Sequence, residues 1–255
     1  SNVFEALSAG AVDFVSKPGC GQQGGFESML KELIIKIKIA STAKVAHWKY
    51  TSSQYRINAR MPAASGKQII AVGASTGGFT DCMLQYGAKK IFALDVGHSQ
   101  LDDTLTGNEK VINMEKLNIR EVDNEIFDSS IDFISVDVSF ISINLILSKL
   151  SELINENGEI VILLKPQFEA GKENIKKNGL VKSKKVHLLV LKNVVESIKG
   201  HNLFIKGLTN SPIKGGEGNI EYLLYLSKSA ESQIIVDVKD TVENAFKEEN
   251  YKNVY

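Results

Sequence analysis

Two hydrophobic rhythms run along this chain, and they change over near residue 66. Before it, Phe26, Met29, Leu30, Leu33, Ile34 and Ile37 recur at helical spacing, which predicts an amphipathic helix of roughly five turns. A short strand at 12–16 precedes that helix, set off by the small-residue turn Ala9-Gly10 and by Lys17-Pro18, with GCGQQGG (19–25) as a link. Residues 46–66 lose all periodicity and read as a linker between an appendage (1–45) and a larger domain (67–228). From Lys67 onward, strand-like runs at 69–72, 90–96, 111–116, 131–138 and 159–166 alternate with helical patterns at 79–88, 143–154 and 185–199. This alternation predicts an α/β fold, a Rossmann-like sheet that is mostly parallel. Two further strands, near 203–208 and 220–226, are joined by TNSPIKGGEGN, which is too short for a crossover helix, so the last strand should run antiparallel. Residues 229–255 form a charged tail with strand and helix patterns.

Composition adds bounds and few specifics. Of 255 residues, 43% are hydrophobic and 24% charged, so a packed core is expected. The formal net charge is zero, and any nucleic-acid surface must therefore be local. Cys20 and Cys82 stand alone, outside metal-type spacing, which suits a reducing cytoplasm; no metal centre is expected. No apolar run reaches about eighteen residues and no leader pattern is present, so neither a membrane span nor a signal peptide is expected.

The first chemical feature is GASTGG (73–78), placed between a strand and a helix. Small residues let a ligand approach the backbone, and free N–H groups at a helix start favour an anion. Asp95 follows twenty-two residues after Gly73, at the end of the next strand, where it can accept from a ribose diol. These two features suit a nicotinamide dinucleotide and S-adenosylmethionine equally. Ser75 could instead be a nucleophile on a strand-to-helix turn, but that chemistry needs a histidine base. His98, His187 and His201 follow it, none in a motif of that kind, and each is expected at the surface or the edge of the core.

A second set is Asp137, Lys165 and Glu221, each at or near the end of a predicted strand. In an open α/β sheet such ends line one crevice. A lysine flanked by carboxylates is equipped to take a proton from a weakly acidic hydroxyl. Between Lys165 and Lys185 there are seven lysines against Glu169 and Glu173, a basic segment that could meet a phosphate backbone.

Longer stretches carry a resemblance. GASTGGFTDCMLQYGAKKIFALDVGHSQL, VDVSFIS (136–142), LLKPQFEAGKE (163–173), NGLVKSKKVH (178–187) and SPIKGGEGNIEYLLYL (211–226) together resemble the hemolysin A (TlyA) family of ribosomal RNA 2′-O-methyltransferases, relatives of the FtsJ group. The resemblance covers about 73–228. It implies S-adenosylmethionine as cofactor and ribosomal RNA or ribosomal subunits as partner. It further implies a cofactor site formed by Gly73, Ala74, Ser75, Thr76, Gly77, Gly78 and Phe79 with Asp95, and Asn118 beside the adenine. Asp137, Lys165 and Glu221 would then be three members of that family's Lys-Asp-Lys-Glu catalytic set.

The leading segment is similar to a different family. ALSAGAVDFVSKP resembles the end of a receiver domain of the chemotaxis methylesterase (CheB) type, and KQIIAVGASTGG resembles the start of the esterase domain of that protein. The resemblances meet at GASTGG, so the chain reads as a chimera joined at a shared turn, with two alternatives to a working methyltransferase: a protein-glutamate methylesterase, or an inactive chimera that only binds S-adenosylmethionine or RNA. The SRGG-x-KL segment carrying the first catalytic lysine of the methyltransferases, and their S4 RNA-binding domain, are not matched. Ala71 stands where that family has an acidic residue, a change expected to weaken cofactor binding.

Overall fold

The computed structural model of the protein describes residues 66–175, 179–215, 218–231 and 233–252. The predicted amphipathic helix, the strand at 12–16 and the linker lie outside the described residues.

Seven strands form one sheet: β1 (Gln68–Val72), β2 (Lys90–Leu94), β3 (Val111–Met114), β4 (Ile131–Val136), β5 (Ile154–Leu164), β6 (Phe204–Asn210) and β7 (Tyr222–Ser227). Their order across the sheet is β3-β2-β1-β4-β5-β7-β6. The pairs from β3 through to β5 are parallel, whereas β7 runs antiparallel to both β5 and β6. The expected Rossmann-like architecture with an antiparallel last strand is therefore observed. β7 is slotted between β5 and β6, and this insertion later decides which residues meet at the site.

Alternation along the strands divides the core between two faces. Ile70, Val72, Phe92, Leu94, Ile134, Val136, Ile160 and Ile162 point into the larger cluster, and Ile69, Ala71, Ile91 and Ala93 into the smaller. The helices are α1 (Gly78–Gln85), α2 (Asp103–Thr106), α3 (Leu147–Leu153), α4 (Pro166–Glu169), α5 (Lys184–Ile198) and α6 (Val238–Lys252). Ser183 caps α5 by accepting from the Val186 N–H, which is why the helix starts one residue earlier than periodicity predicts. The C-terminal helix belongs to the core, since Val238, Val242 and Ala245 join the larger cluster. No strand is assigned to the described part of 229–237.

One predicted helix is shorter than expected. Apolar spacing extends it over 143–154, but the chain forms a 3₁₀ turn at Ile143–Leu145, then α3, and Ile154 already opens β5. Ile154 pairs with Ile131 while Glu159 pairs with Phe133, so Asn155–Gly158 bulge out of the ladder. A β-branched residue that packs equally well at a helix end or a strand start makes that boundary ambiguous in sequence.

On the second face, a groove of about 470 Å³ lies beside α1, floored by Phe133, Val161, Leu163 and Leu223. Lys67, Glu159 and Tyr225 form its polar end, with the Lys67 Nζ 2.8 Å from Glu159 Oε2. Burial pushes the Glu159 carboxyl up, but hydrogen bonds from Lys67 and Tyr225 outweigh this and hold it below its usual range.

Candidate active site at the strand ends

Asp137 follows β4 directly, Lys165 follows β5 directly, and Glu221 immediately precedes β7. Parallel β4 and β5 end at the same edge of the sheet. In the antiparallel pair, Leu164 stands opposite Tyr222, which places Glu221 across from Lys165. Had β7 been parallel, a residue at its start would sit at the opposite edge. The reversal of that one strand assembles the three groups.

Lys165 Nζ lies 2.6 Å from Asp137 Oδ1 and donates to Ser139 Oγ at 3.2 Å. Asp137 Oδ1 is buried and receives the ammonium as an ion pair, off hydrogen-bond alignment, with no other partner. Glu221 is 6% exposed and accepts from Gln167 Nε2 at 3.0 Å. Burial pushes its carboxyl above the usual range. The Gln167 hydrogen bond and the Lys165 charge pull it down, and Asp137 adds to the rise. The site is thus one electrostatic unit, one cation beside two carboxylates, with Glu221 buried and Asp137 partly open to the clefts.

Two clefts meet here. The first, about 690 Å³, is lined by Gly73, Ser75, Asp95, Gln100, Asn118 and Asp137 among others. Its floor is the turn after β1, where the Gly73 and Ala74 N–H groups both donate to the Leu94 carbonyl. Gly73 has φ +75, and a Cβ there would stand 2.2 Å from the Asp137 carbonyl oxygen, so a side chain is excluded on both counts. The Asp95 carboxylate accepts from the Ser75 N–H and the Gly97 N–H, both at 2.8 Å, which fixes its orientation and leaves lone pairs for a ligand. Beyond it, Glu115 accepts three N–H groups from Ser99 to Leu101, which pull its carboxyl down to about 2 and set the loop that carries Gln100. Asn118 caps the 3₁₀ turn Ile119–Glu121, accepting from the Arg120 N–H.

Not all of the predicted turn faces this cleft. Gly73 and Ser75 line it, but Ala74 is buried in the smaller core cluster. Gly77 is packed against Leu105 and Leu101, and the Thr76 carbonyl accepts from the Asp102 N–H. Gly78 opens α1, and Phe79 points into the groove on the second sheet face. Once the chain enters α1, successive residues rotate away from the crevice. Ala71 is 1% exposed within β1.

The second cleft, about 700 Å³, shares Ser139 and Phe140 with the first and adds Lys165, Gln167, Phe168, Lys172, Asn219 and Glu221. Phe140 is 91% exposed on a left-handed backbone (φ 63), with its ring centroid 4.9 Å from that of Phe168. Phe140 and Gln167 are absent from the predicted site, although both lie within the stretches VDVSFIS and LLKPQFEAGKE. Of the lysine-rich segment, Lys172 lines this cleft and Lys184 faces Glu243 at 3.8 Å, while Lys176 and Lys177 lie outside the described residues.

Of the three histidines, His98 is exposed and His201 half-buried as expected, but His187 is not. His187 is fully buried, neither at the surface nor at the core edge. Its Nε2 meets the Val181 carbonyl and its Nδ1 the Tyr222 hydroxyl, both at 2.9 Å. It occurs at a helix start between lysines and leucines, so sequence alone hides the core position. Among the described residues no group of three or more His, Cys, Asp or Glu could hold a metal ion, and no helix is long and apolar enough to cross a membrane.

Comparison with known proteins agrees with this fold. The model of the FtsJ-like methyltransferase family matches residues 54–228. A Bacillus subtilis protein provisionally named an rRNA methyltransferase is 46% identical over 168 residues, which is 66% of this chain and 60% of that protein. The match thus spans less than two thirds of that relative. A Mycobacterium tuberculosis 16S/23S rRNA (cytidine-2′-O)-methyltransferase is 32% identical over 73% of this chain and 70% of its own length. Among solved structures, a Streptococcus thermophilus protein provisionally named a hemolysin superposes with a TM-score of 0.72 at 42% identity, covering 76% of this chain and 71% of that one. A separate similarity, 47% identity over 80 residues, links 29% of this chain to 23% of a protein-glutamate methylesterase/protein-glutamine glutaminase from Syntrophotalea carbinolica. The family model covers well over half of the sequence and includes every residue of the strand-end site, so the chain belongs to the FtsJ-like methyltransferase family.

Proposed function

We propose that this protein transfers a methyl group from S-adenosylmethionine to a ribose 2′-hydroxyl of ribosomal RNA. The observation that carries this is the convergence of Asp137, Lys165 and Glu221 at the junction of two clefts, one floored by a glycine turn and one walled by aromatics. The first cleft fits the cofactor. Gly73 admits a ligand close to the backbone, and Asp95, held by two backbone N–H groups, can accept from a ribose diol. Bound there, S-adenosylmethionine supplies an electrophilic methyl group on a sulfonium. Gln100, Asn118 and Arg120 line the same cleft and complete the wall around it.

The second cleft takes the acceptor nucleotide. The exposed Phe140 ring offers a stacking surface, and Lys172 offers a charge for a phosphate. Lys165, in its neutral form, takes the 2′-hydroxyl proton at Nζ, and Asp137 and Glu221 stabilise the ammonium that results. Alignment of the acceptor oxygen with the methyl group then supplies much of the rate effect.

We further infer that the chain joins a methylesterase-like leader to this domain at the GASTGG turn. His187 is no base for Ser75, because both its ring nitrogens are engaged in the core. The test of the proposed function is incubation of the full chain with tritiated S-adenosylmethionine and ribosomal subunits. Label should enter the RNA and disappear with Lys165→Ala. Failure of the wild-type chain to label any subunit overturns the proposal.

A further inference from the structure

We propose that Gln167 contacts the target nucleotide, its carbonyl oxygen accepting from an N–H group on the base edge while its amide nitrogen holds Glu221. This rests on the reading of the second cleft as the nucleotide site, and it assigns a residue that neither motif nor spacing singles out.

Pro166 occupies the first position of α4, so that short helix starts immediately after Lys165 and swings Gln167 back toward β7. There Gln167 Nε2 donates to Glu221 Oε1 at 3.0 Å. A carboxylate can only accept, so the amide is obliged to turn its NH₂ toward Glu221 and its oxygen the other way. Gln167 Oε1 is buried from water and has no hydrogen-bond partner. A buried acceptor with no donor is unfavourable, and in native proteins such an atom calls for a reason.

The surroundings indicate where the donor comes from. Gln167 lines the same cleft as Lys165, Phe140, Phe168 and Asn219. Lys165 is already committed to Asp137 and Ser139. A base lying against the Phe140–Phe168 pair would present its polar edge to the cleft wall, where an amide oxygen recognises an amino or imino N–H. The ribose hydroxyl is the business of Lys165, so the base is the remaining source. A small turn of the Gln167 side chain toward the cleft would bring Oε1 within reach of the docked base, which would satisfy it and, through the same amide, hold Glu221 beside Lys165.

The test compares the full chain with Gln167→Met and Gln167→Glu in binding ribosomal subunits, with S-adenosylhomocysteine present throughout. Gln167→Met should weaken subunit binding about fivefold, the loss of one neutral hydrogen bond, while affinity for S-adenosylhomocysteine is unchanged. Gln167→Glu should bind poorly at alkaline pH, where two carboxylates face each other, and recover toward the wild-type value as pH is lowered and one proton bridges them, leaving an oxygen free to accept. Wild-type subunit affinity in Gln167→Met, or equal losses toward subunits and S-adenosylhomocysteine, overturns the inference alone. A wild-type chain that binds S-adenosylhomocysteine but no subunits overturns the nucleotide-site reading, and this inference with it.

Discussion

Lys165 Nζ stands 2.6 Å from Asp137 Oδ1, at the ends of two parallel strands paired through Val136 and Ile162. Asp137 follows the last residue of β4 and Lys165 the last residue of β5, so backbone pairing dictates the encounter and side-chain reach completes it. Lys165→Ala removes the amine that takes the hydroxyl proton. Methyl transfer should fall by at least about 100-fold, the range for loss of a general base, with cofactor affinity within about twofold of wild type in a calorimetric titration.

Glu221 gives the opposite pairing of stability and activity. Burial raises its carboxyl above the usual range. A carboxyl with a raised folded pKa contributes stability that is complete below its unfolded pKa and lost as pH rises through the folded value. Once ionised, the group therefore burdens the fold. Glu221→Gln should raise Tm by about 2 °C at pH 7.5, an advantage that shrinks as pH falls toward 4, while methyl transfer drops about 100-fold. Calorimetric melts at several pH values check the first half, and label transfer the second.

Gly73 ties the turn after β1 to the end of β4. Its φ of +75 already excludes an ordinary side chain, and a Cβ would press the Asp137 carbonyl oxygen at 2.2 Å. Gly73→Ala should destabilise by at least about 2 kcal/mol, from backbone strain plus displacement of the end of β4. Loss of cofactor binding should accompany the drop in denaturant midpoint.

Asp95 holds its place through the Ser75 and Gly97 N–H groups. In Asp95→Asn one oxygen becomes an NH₂ that confronts a backbone N–H, so the turn and the ribose lose acceptors together. S-adenosylmethionine should bind at least about tenfold more weakly, consistent with loss of a charge-assisted hydrogen bond. The same calorimetric titration reads it.

Much of this site could be read before any coordinates. Asp95, Asp137 and Lys165 close apolar runs, and apolar runs between helical patterns place their last residues at one edge of a parallel sheet. Glu221 was legible because the short connector 209–219 forced an antiparallel strand, whose start falls where its neighbours end. Phe79 misled because the glycine motif continues in sequence after the chain has turned into α1 and away from the crevice. Gln167 and Phe140 stayed hidden for a different reason. The importance of Gln167 lies in one unpaired oxygen, and that of Phe140 in an exposed ring on a left-handed backbone, and neither property has a sequence pattern. His187 was misplaced because its polar partners, Tyr222 and the Val181 carbonyl, come from elements remote in the chain or irregular in backbone.

Alkaline hydrolysis of RNA requires a free 2′-hydroxyl, and a methyl group on that oxygen blocks cleavage at the adjoining phosphodiester. Ribosomal RNA labelled by this protein from tritiated S-adenosylmethionine, then digested to completion in alkali, should yield its radioactivity as alkali-stable dinucleotides. Radioactivity recovered in mononucleotides would place the methyl group on a base and contradict the chemistry assigned to Lys165, Asp137 and Glu221.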